Sequence, residues 1–199
     1  GNVTVAEGIF RTETDAHTLT IEGDVSVESG GTLGHADKTG ADSFGSLTIA
    51  SGGTFLATSG TTTLTSEDAA TTTYALHNDG GTFNHNNGKI KVDWNTPSKT
   101  GHTRIRANDF YDVEVDMNIV ANEVKLDDTS GNAINIYGDL TITQGFVEKV
   151  SGSDTLFIHG LTNISANGIF MEDANENTNT ITHHGLVTNL GEYKINDGT

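Results

Sequence analysis

The sequence contains no cysteine, which excludes a disulfide framework and any metal site built from thiolates. It contains one proline, Pro97, and only 7% aromatic residues, so a core built on large rings is not expected. No apolar run approaches the roughly 18 residues that a membrane-spanning helix needs. Disulfide-stabilised scaffolds and proteins with a helical membrane span are therefore not expected.

Basic residues are also scarce. The chain has 199 residues, with 10 lysines and arginines against 27 aspartates and glutamates, which gives a formal net charge of -17. Nucleic acids and anionic membrane surfaces bind proteins through cationic side chains, so both should be repelled by this chain. The same charge is compatible with basic protein partners, with cation binding or with a salty medium.

What the sequence does contain is a short repeat, in which apolar residues alternate with polar ones and a glycine usually follows. The copies are TLTIEGD (18–24), SLTIASG (46–52), YALHNDG (74–80), YDVEVDM (111–117, without the glycine), NAINIYGD (132–139), TLFIHG (155–160) and TITHHG (180–185). They recur about every 20 to 30 residues, a spacing typical of solenoid turns. Alternation with period two indicates short strands that bury one face.

Two further short strands follow the first in each unit, so the pattern predicts an all-β parallel β-helix (a β-solenoid) of about seven three-strand turns. The predicted inward stacks are Leu19, Leu47, Leu76, Val113, Ile134, Leu156 and Ile181 on one face, and Ile90, Val92, Val124, Leu126, Phe146, Tyr193 and Ile195 on the third face. A β-sandwich of short strands is the alternative, because turn spacing alone permits it. The recurring order of the three strands favours the solenoid, since a sandwich need not repeat.

The chain, residues 1–199, is interpreted as one solenoid domain. A solenoid needs polar caps over its terminal turns, and neither end of this sequence shows one. We therefore expect a piece of a longer solenoid, or an assembly in which neighbouring subunits cover the ends.

Three segments interrupt the repeat and are predicted to be loop insertions: 35–45, 67–73 and 95–109. The largest follows the only tryptophan, and five of the ten basic residues lie in or beside it: Lys89, Lys91, Lys99, Arg104 and Arg106. These cations can simply neutralise neighbouring carboxylates. Alternatively, a contact site for an acidic surface or a sugar ring is formed by Trp94, Lys99, Arg104, Arg106 and Tyr111. Tryptophan, tyrosine and arginine are frequent at binding hot spots, and loops on rigid scaffolds often carry function.

Metal sites have weak support. Glu172, Asp173 and Glu176 lie among asparagines and could offer oxygens to Ca²⁺, but the spacing lacks the order of an EF-hand loop, which favours a solvated acidic corner. His77 and His85 lie on successive predicted strands and form a second, weaker candidate. No other cofactor is expected.

An enzyme is not predicted, because the sequence has no nucleophile elbow and no zinc-protease motif. A carbohydrate-active β-helix enzyme stays as an alternative, because several carboxylates lie near Arg104 and Arg106: Asp109, Asp112, Glu114 and Asp116. Three of these acids alternate with valines, so an outward acidic stripe is the favoured interpretation.

The units GSLTIASGGTFLATSGTTTLTS (45–66), DGGTFNHNNGKIKVD (79–93), FYDVEVD (110–116) and YGDLTITQGF (137–146) resemble β-strand-repeat proteins of marine bacteriophage virions and bacterial surfaces. The resemblance covers most of 17–199, departs at 95–109 and carries no catalytic residues across. It implies a non-enzymatic structural or adhesive protein, such as a phage fibre, spike or decoration protein, that displays loops outside the particle. The alternative is a fragment of a bacterial surface adhesin. The partners it implies are other protein subunits, with a glycan as a second kind of partner.

Overall fold

A computed structural model of the chain describes residues 1–12, 18–34, 39–65, 74–94, 101–127, 132–149, 155–171 and 180–194. All regular secondary structure in these residues is β-strand, and no described segment forms a helix able to cross a membrane. In chain order the strands are β1 (Val3–Val5), β2 (Gly8–Arg11), β3 (Leu19–Ile21), β4 (Val25–Val27), β5 (Gly31–Gly34), β6 (Asp42–Phe44), β7 (Leu47–Ala50), β8 (Thr54–Leu56), β9 (Thr61–Leu64), β10 (Tyr74–Asp79), β11 (Thr82–Asn84), β12 (Lys89–Trp94), β13 (His102–Arg106), β14 (Asp109–Phe110), β15 (Asp112–Met117), β16 (Glu123–Asp127), β17 (Ile134–Ile136), β18 (Leu140–Lys149), β19 (Thr155–Ile158), β20 (Thr162–Met171), β21 (Thr180–His183), β22 (Val187–Asn189) and β23 (Glu192–Lys194).

Successive strands wind around three faces, which we call A, B and C. Each turn of the chain supplies one strand to each face in that order, so turn 1 contains β1, β2 and β3, turn 4 contains β10, β11 and β12, and turn 5 contains β13, β14 and β15. Strands β18 and β20 are long enough to supply face C of one turn and face A of the next. The described strands form eight such turns, and β23 begins a ninth.

The named strands pair in parallel, each with the strand one turn before or after it on the same face. Paired positions lie 20 residues apart at Asp42 and Thr62 and 30 residues apart at Tyr74 and Arg104. The predicted parallel β-solenoid with turns of 20 to 30 residues is therefore confirmed. The β-sandwich alternative is wrong, because a sandwich is built from antiparallel strands.

The core lies inside the three faces, where every second side chain of a strand points inward. Along face A, Val25, Leu47, Leu76, Ile105 and Leu126 lie in register, one per turn, and none is more than 1% exposed. Burying such a side chain contributes about 1.5–3 kcal/mol, so the stacked rows are the main stabilising element of the fold.

The predicted inward stacks are wrong in their assignment to faces, although most of their residues do face inward. The first predicted stack divides among the faces, with Leu47 and Leu76 on face A, Ile134, Leu156 and Ile181 on face B, and Leu19 and Val113 on face C. The other divides as well, with Ile90 and Val92 on face C and Val124, Leu126 and Tyr193 on face A. The cause is that strands of different faces show the same alternation of apolar and polar residues before a glycine. Aligning the repeats on that glycine therefore does not show which of the three corners of the turn it occupies.

Phe146 is a further correction. It was predicted to face inward, but Val147 occupies the core at 0% exposure and Phe146 is half-exposed. The register of β18 shifts between Ile142 and Gln144, and Gly145 then turns the strand with a φ of 106°, so the alternation restarts on face A with the opposite phase. Ile195 lies outside the described residues.

Two of the predicted loops contain strands. Residues 42–44 of the segment 35–45 form β6, and the segment 95–109 contains β13 and the first residue of β14. The outward arginines of β13 gave it the composition of a loop, while Thr103 and Ile105 fill the core positions at 0% exposure. The predicted insertion 67–73 lies outside the described residues, as do residues 35–38 and 95–100.

Candidate functional site

The two arginines of the predicted contact site lie on the outer side of β13, on face A. Both reach the Asp127 carboxylate of the next turn, with N–O distances of 3.4 Å from Arg104 and 2.9 Å from Arg106. The Tyr74 hydroxyl donates to the same oxygen at 3.3 Å, and the Arg106 guanidinium lies 5.2 Å from the centre of the Tyr74 ring. These arginines therefore neutralise a neighbouring carboxylate, as the simpler interpretation of the sequence predicted.

The lysines Lys89 and Lys91 lie on the outer side of β12, on face C. Lys89 pairs with Glu114 at 2.7 Å, and Lys91 pairs with Asp93 at 2.8 Å and Asp116 at 3.0 Å. Burial works to lower the pKa of Lys91, but the hydrogen bonds and charges of Asp93 and Asp116 outweigh it and raise that pKa. The lysines thus connect turn 4 to turn 5.

The remaining members of the predicted contact site do not join the arginines. Trp94 is 1% exposed and belongs to the hydrophobic core, so its predicted role as a surface contact is wrong. Trp94 is the last residue of β12, and its indole points into the core. Tyr111 lies at the corner between faces B and C, where its ring is 5.9 Å from that of His85. Lys99 lies outside the described residues.

The predicted acidic stripe is confirmed. Strand β15 alternates half-buried acids with fully buried apolar residues, which places Asp112, Glu114 and Asp116 on the outer side of face C. Asp109 instead lies on β14, on face B, while Arg104 pairs with Asp127 on face A. The acids and arginines considered for an enzyme are therefore divided among three faces.

The histidine candidates for a metal site are also separated. The His77 ring stacks on Tyr74 with centroids 4.2 Å apart, whereas His85 lies beside Tyr111. Burial lowers the pKa of both histidines, and the charge of Arg106 lowers that of His77 further. No group of three or more metal-ligating side chains occurs within the described ranges. The calcium candidate, Glu172, Asp173 and Glu176, lies outside them.

A compact acid cluster occupies the outer side of face A in turns 6 and 7. Lys125 lies 2.8 Å from Glu148 and 3.5 Å from Glu123, and each of the two acids keeps less than a fifth of its side chain exposed, 11% and 16%. Burial raises the pKa of Glu123 to about 7, a hydrogen bond with Glu148 adds to this, and Lys125 opposes it. Glu123 can therefore hold a proton near neutral pH.

One row of inward positions near the corner between faces A and B changes character along the solenoid. Val5, Val27 and Ile49 lie in register in turns 1 to 3. The same row continues with Asn78 in turn 4, and its register places Ala107 next in turn 5. A polar amide and a methyl group thus replace branched apolar side chains, and they fill less of the interior.

A cleft opens at this point of face B. Strand β11 ends one four-stranded sheet and β14 begins another, so turns 4 and 5 do not pair on this face. The cleft has a volume of about 290 Å³ and is lined by Asn78, Gly81, Thr82, Phe83, Ala107, Asn108 and Asp109. We call it the interturn cleft.

The wall of the interturn cleft is both polar and aromatic. The Asn78 Oδ1 atom is buried and makes no hydrogen bond to any described residue. The Phe83 ring packs between Phe55, at 6.0 Å, and Phe110, at 5.9 Å, yet Phe83 is half-exposed whereas Phe55 and Phe110 are at most 1% exposed. The gap between the turns is what exposes this inward ring.

Asp109 connects the cleft to the next turns. One of its carboxylate oxygens accepts hydrogen bonds from the Asn135 side-chain amide at 3.0 Å and from the Tyr137 hydroxyl at 3.4 Å. The negative charge of Asp109 raises the pKa of Tyr137. These partners hold the carboxylate in place at the mouth of the cleft.

A ladder of rings follows the corner between faces B and C beside the cleft. We call it the ring ladder, and its members are His85, Tyr111, Tyr137, His159 and His184. The Tyr137–His159 and His159–His184 pairs are stacked, 5.3 Å and 4.8 Å apart. The ladder therefore joins successive turns along this corner.

The sequence patterns did not point to Asn78, Phe83 or Asn108. The sequence does contain a signal for the cleft, which is the change from Val5, Val27 and Ile49 to Asn78 and Ala107 in one inward row. This change becomes visible only when the register of the turns is known. Comparison with protein-family models, with curated proteins and with solved structures finds no match for this chain.

Proposed function

We propose that this chain is a non-enzymatic structural and adhesive protein, a rigid solenoid that displays binding surfaces on the outside of a bacteriophage particle as part of a fibre, spike or decoration. The observation that carries the proposal is the unbroken stacking of face A, where parallel strands pair from β1 through to β23. Such a stack holds surface features at fixed distances, which is what display requires.

The charges of the described surface support a structural role. The arginines and lysines of turns 4 to 6 pair with carboxylates of the following turn, which ties the turns together. Cations used in this way are not available to hold a polyanionic ligand. Protein subunits or an uncharged glycan are therefore the partners that this surface favours.

A carbohydrate-active enzyme is the second candidate, and one observation favours it. Burial and a hydrogen bond with Glu148 raise the pKa of Glu123 to about 7, as a general acid near neutral pH requires. Ion-pair networks without catalytic function produce the same effect. A depolymerisation assay on polysaccharides with the unaltered chain and with Glu123→Gln separates the two, since only an enzyme shows activity that the substitution removes.

The adhesive proposal is tested by location. An antibody against the purified chain is applied to intact virions and to unpermeabilised cells of the source, and gold label is imaged by electron microscopy. We expect label on the outside of virions. Label on the surface of uninfected cells would instead support the bacterial adhesin, and label that appears only after permeabilisation would contradict both.

A further inference from the structure

We propose that the interturn cleft binds a single uncharged saccharide unit. The inference rests on the proposed adhesive function and gives it a site. It is carried by the two strands that fail to pair, by the Asp109 carboxylate of the lining and by the half-exposed ring of Phe83 in the wall.

The size of the cleft limits the ligand. Pockets for drug-sized ligands hold roughly 300–1,000 Å³, and the cleft lies at the lower edge of that range, at about 290 Å³. One pyranose ring with its hydroxyls suits this volume, whereas two linked rings would extend into solvent. The expected ligand is therefore one unit of a glycan, with the rest of the chain outside.

The backbone contributes donors and acceptors. Thr82 donates its backbone N–H to Gly53 of turn 3, and the Asn84 carbonyl accepts from Ala57 of the same turn. The carbonyls of Asn108 and Phe110 accept from Asn135 and Tyr137 of turn 6. Because successive residues of a parallel strand bond in opposite directions, the backbone groups of Phe83 and Asp109 point toward the cleft from its two sides.

The side chains select hydroxyl groups over anions. The carboxylate of Asp109 accepts hydrogen bonds, so a ligand group that meets it must donate. No lysine or arginine is among the described residues that line the cleft, so phosphate, sulfate and carboxylate groups are not favoured.

The half-exposed ring of Phe83 supplies the apolar wall. A pyranose carries C–H groups on its faces, and these can bury apolar area against the exposed part of the ring. A ring on one side and acceptors on the other match the amphipathic shape of a sugar. A bare metal ion makes no use of the ring, and a nucleotide would bring a phosphate that no cation among the described lining residues neutralises.

The test uses the full chain and four probes, the methyl glycosides of glucose, galactose, mannose and N-acetylglucosamine. Binding is measured by saturation-transfer NMR and by the fluorescence of a dye placed on Thr82→Cys, which is unique because the chain has no native cysteine. Thr54 lies beside Thr82 in the neighbouring turn and does not line the cleft, so Thr54→Cys carries the control dye. We expect a saturable response for at least one glycoside at Thr82 and none at Thr54.

Two substitutions then assign the site. Asn78→Ile continues the apolar row of turns 1 to 3 and fills the cleft, so it should abolish binding without lowering the melting temperature. Asp109→Asn keeps the shape of the side chain and should weaken binding about tenfold through the loss of a charged acceptor. Asn163→Ile, on the outer side of face C, is the matched control and should bind as the unaltered chain does.

The proposal is overturned if no glycoside gives a saturable response, if the response survives Asn78→Ile, or if calcium chloride alone produces it. These outcomes are separable from failure of the adhesive function. Attachment of the chain to host cells that persists in Asn78→Ile would leave adhesion standing and reject this site, whereas absence of any attachment would reject adhesion.

Discussion

At the scale of single residues, Asp42 is the most unusual acid of the described core. It lies at an inward position of β6, between Leu19 and Thr62 of the adjacent turns, and is 1% exposed. Burial raises its pKa from 3.8 to about 7, opposed by a backbone hydrogen bond from Leu19. The fold therefore binds a proton at Asp42 more tightly than the unfolded chain does.

This shift predicts how stability depends on pH. The stabilising contribution of protonated Asp42 is complete below pH 3.8 and is lost as pH rises to about 7. Asn cannot ionise, so Asp42→Asn should be more stable than the unaltered chain at pH 8, by on the order of 3 kcal/mol, with the difference vanishing near pH 4. Urea denaturation at both pH values measures it.

The control for this prediction is Asp24→Asn, an exposed acid near the same end of the solenoid that accepts a hydrogen bond from Ser46 at 2.8 Å. Asp24→Asn measures what the same change from a carboxylate to an amide does at the surface of the solenoid. If Asp42→Asn and the unaltered chain lose stability in parallel between pH 4 and pH 8, the buried acid is ionised in the fold and the prediction is wrong.

Lys91 gives a second prediction at this scale. Its ammonium lies within 3.5 Å of three carboxylates, Asp93, Glu114 and Asp116, and its side chain is 21% exposed. Lys91→Ala leaves these acids facing one another, so we expect a loss of about 1–3 kcal/mol in the free energy of unfolding, smaller at high salt. Thermal denaturation at low and high salt measures the loss.

Lys194→Ala is the matched control, because Lys194 forms a single pair with Glu192 at 3.2 Å and both side chains are well exposed, at 44% and 54%. Exposed pairs of this kind contribute less than about 1 kcal/mol. Equal losses for the two lysines would show that the cluster around Lys91 has no special role.

At the scale of strands, the failure of β11 and β14 to pair predicts a local pattern of hydrogen exchange. The amides of Thr82 and Asn135 donate to neighbouring turns, at 2.9 Å and 2.7 Å, and should exchange slowly. The amides of Phe83 and Asp109 point into the cleft and should exchange faster. NMR-detected exchange measures both, and Thr82 and Phe83 are adjacent residues of β11, so Thr82 is the control for Phe83. Equal protection at Thr82 and Phe83 would mean that the two turns are joined after all.

Strands were the part of the fold that the sequence predicted best. Alternation located short strands with one buried face, and β7, β8 and β9 follow it closely. Assignment to faces failed because alternation reports only which side of a strand is buried. It carries no information about the corner that follows, and an extra residue, as in β18, inverts the phase without changing the composition.

The site was harder to predict than the strands for a physical reason. Composition singled out the basic residues around 95–109, but their partners, Asp127 and Glu114, lie one turn away and make them structural. The interturn cleft arises from a missing pairing and from small or polar residues in an otherwise apolar row. Both are properties of the register between turns, which a single sequence does not state.

At the scale of the molecule, the described cations are concentrated where the solenoid is least regular. Ion pairs join turn 4 to 5, turn 5 to 6 and turn 6 to 7, while the outer rows of turns 1 to 3 consist mainly of serine and threonine. The step that lacks pairing on face B carries three lysine–carboxylate pairs on face C. Charge and backbone pairing together keep the turns in register.

The missing pairing on face B has a mechanical consequence. A rod bonded on all three sides resists bending equally at every step, but between turns 4 and 5 only faces A and C are bonded. Under a sideways load this step is the compliant joint, and it flexes by widening or narrowing the open side. Any molecule lodged there acts as a wedge that stiffens the rod, so occupancy and curvature would be linked in both directions.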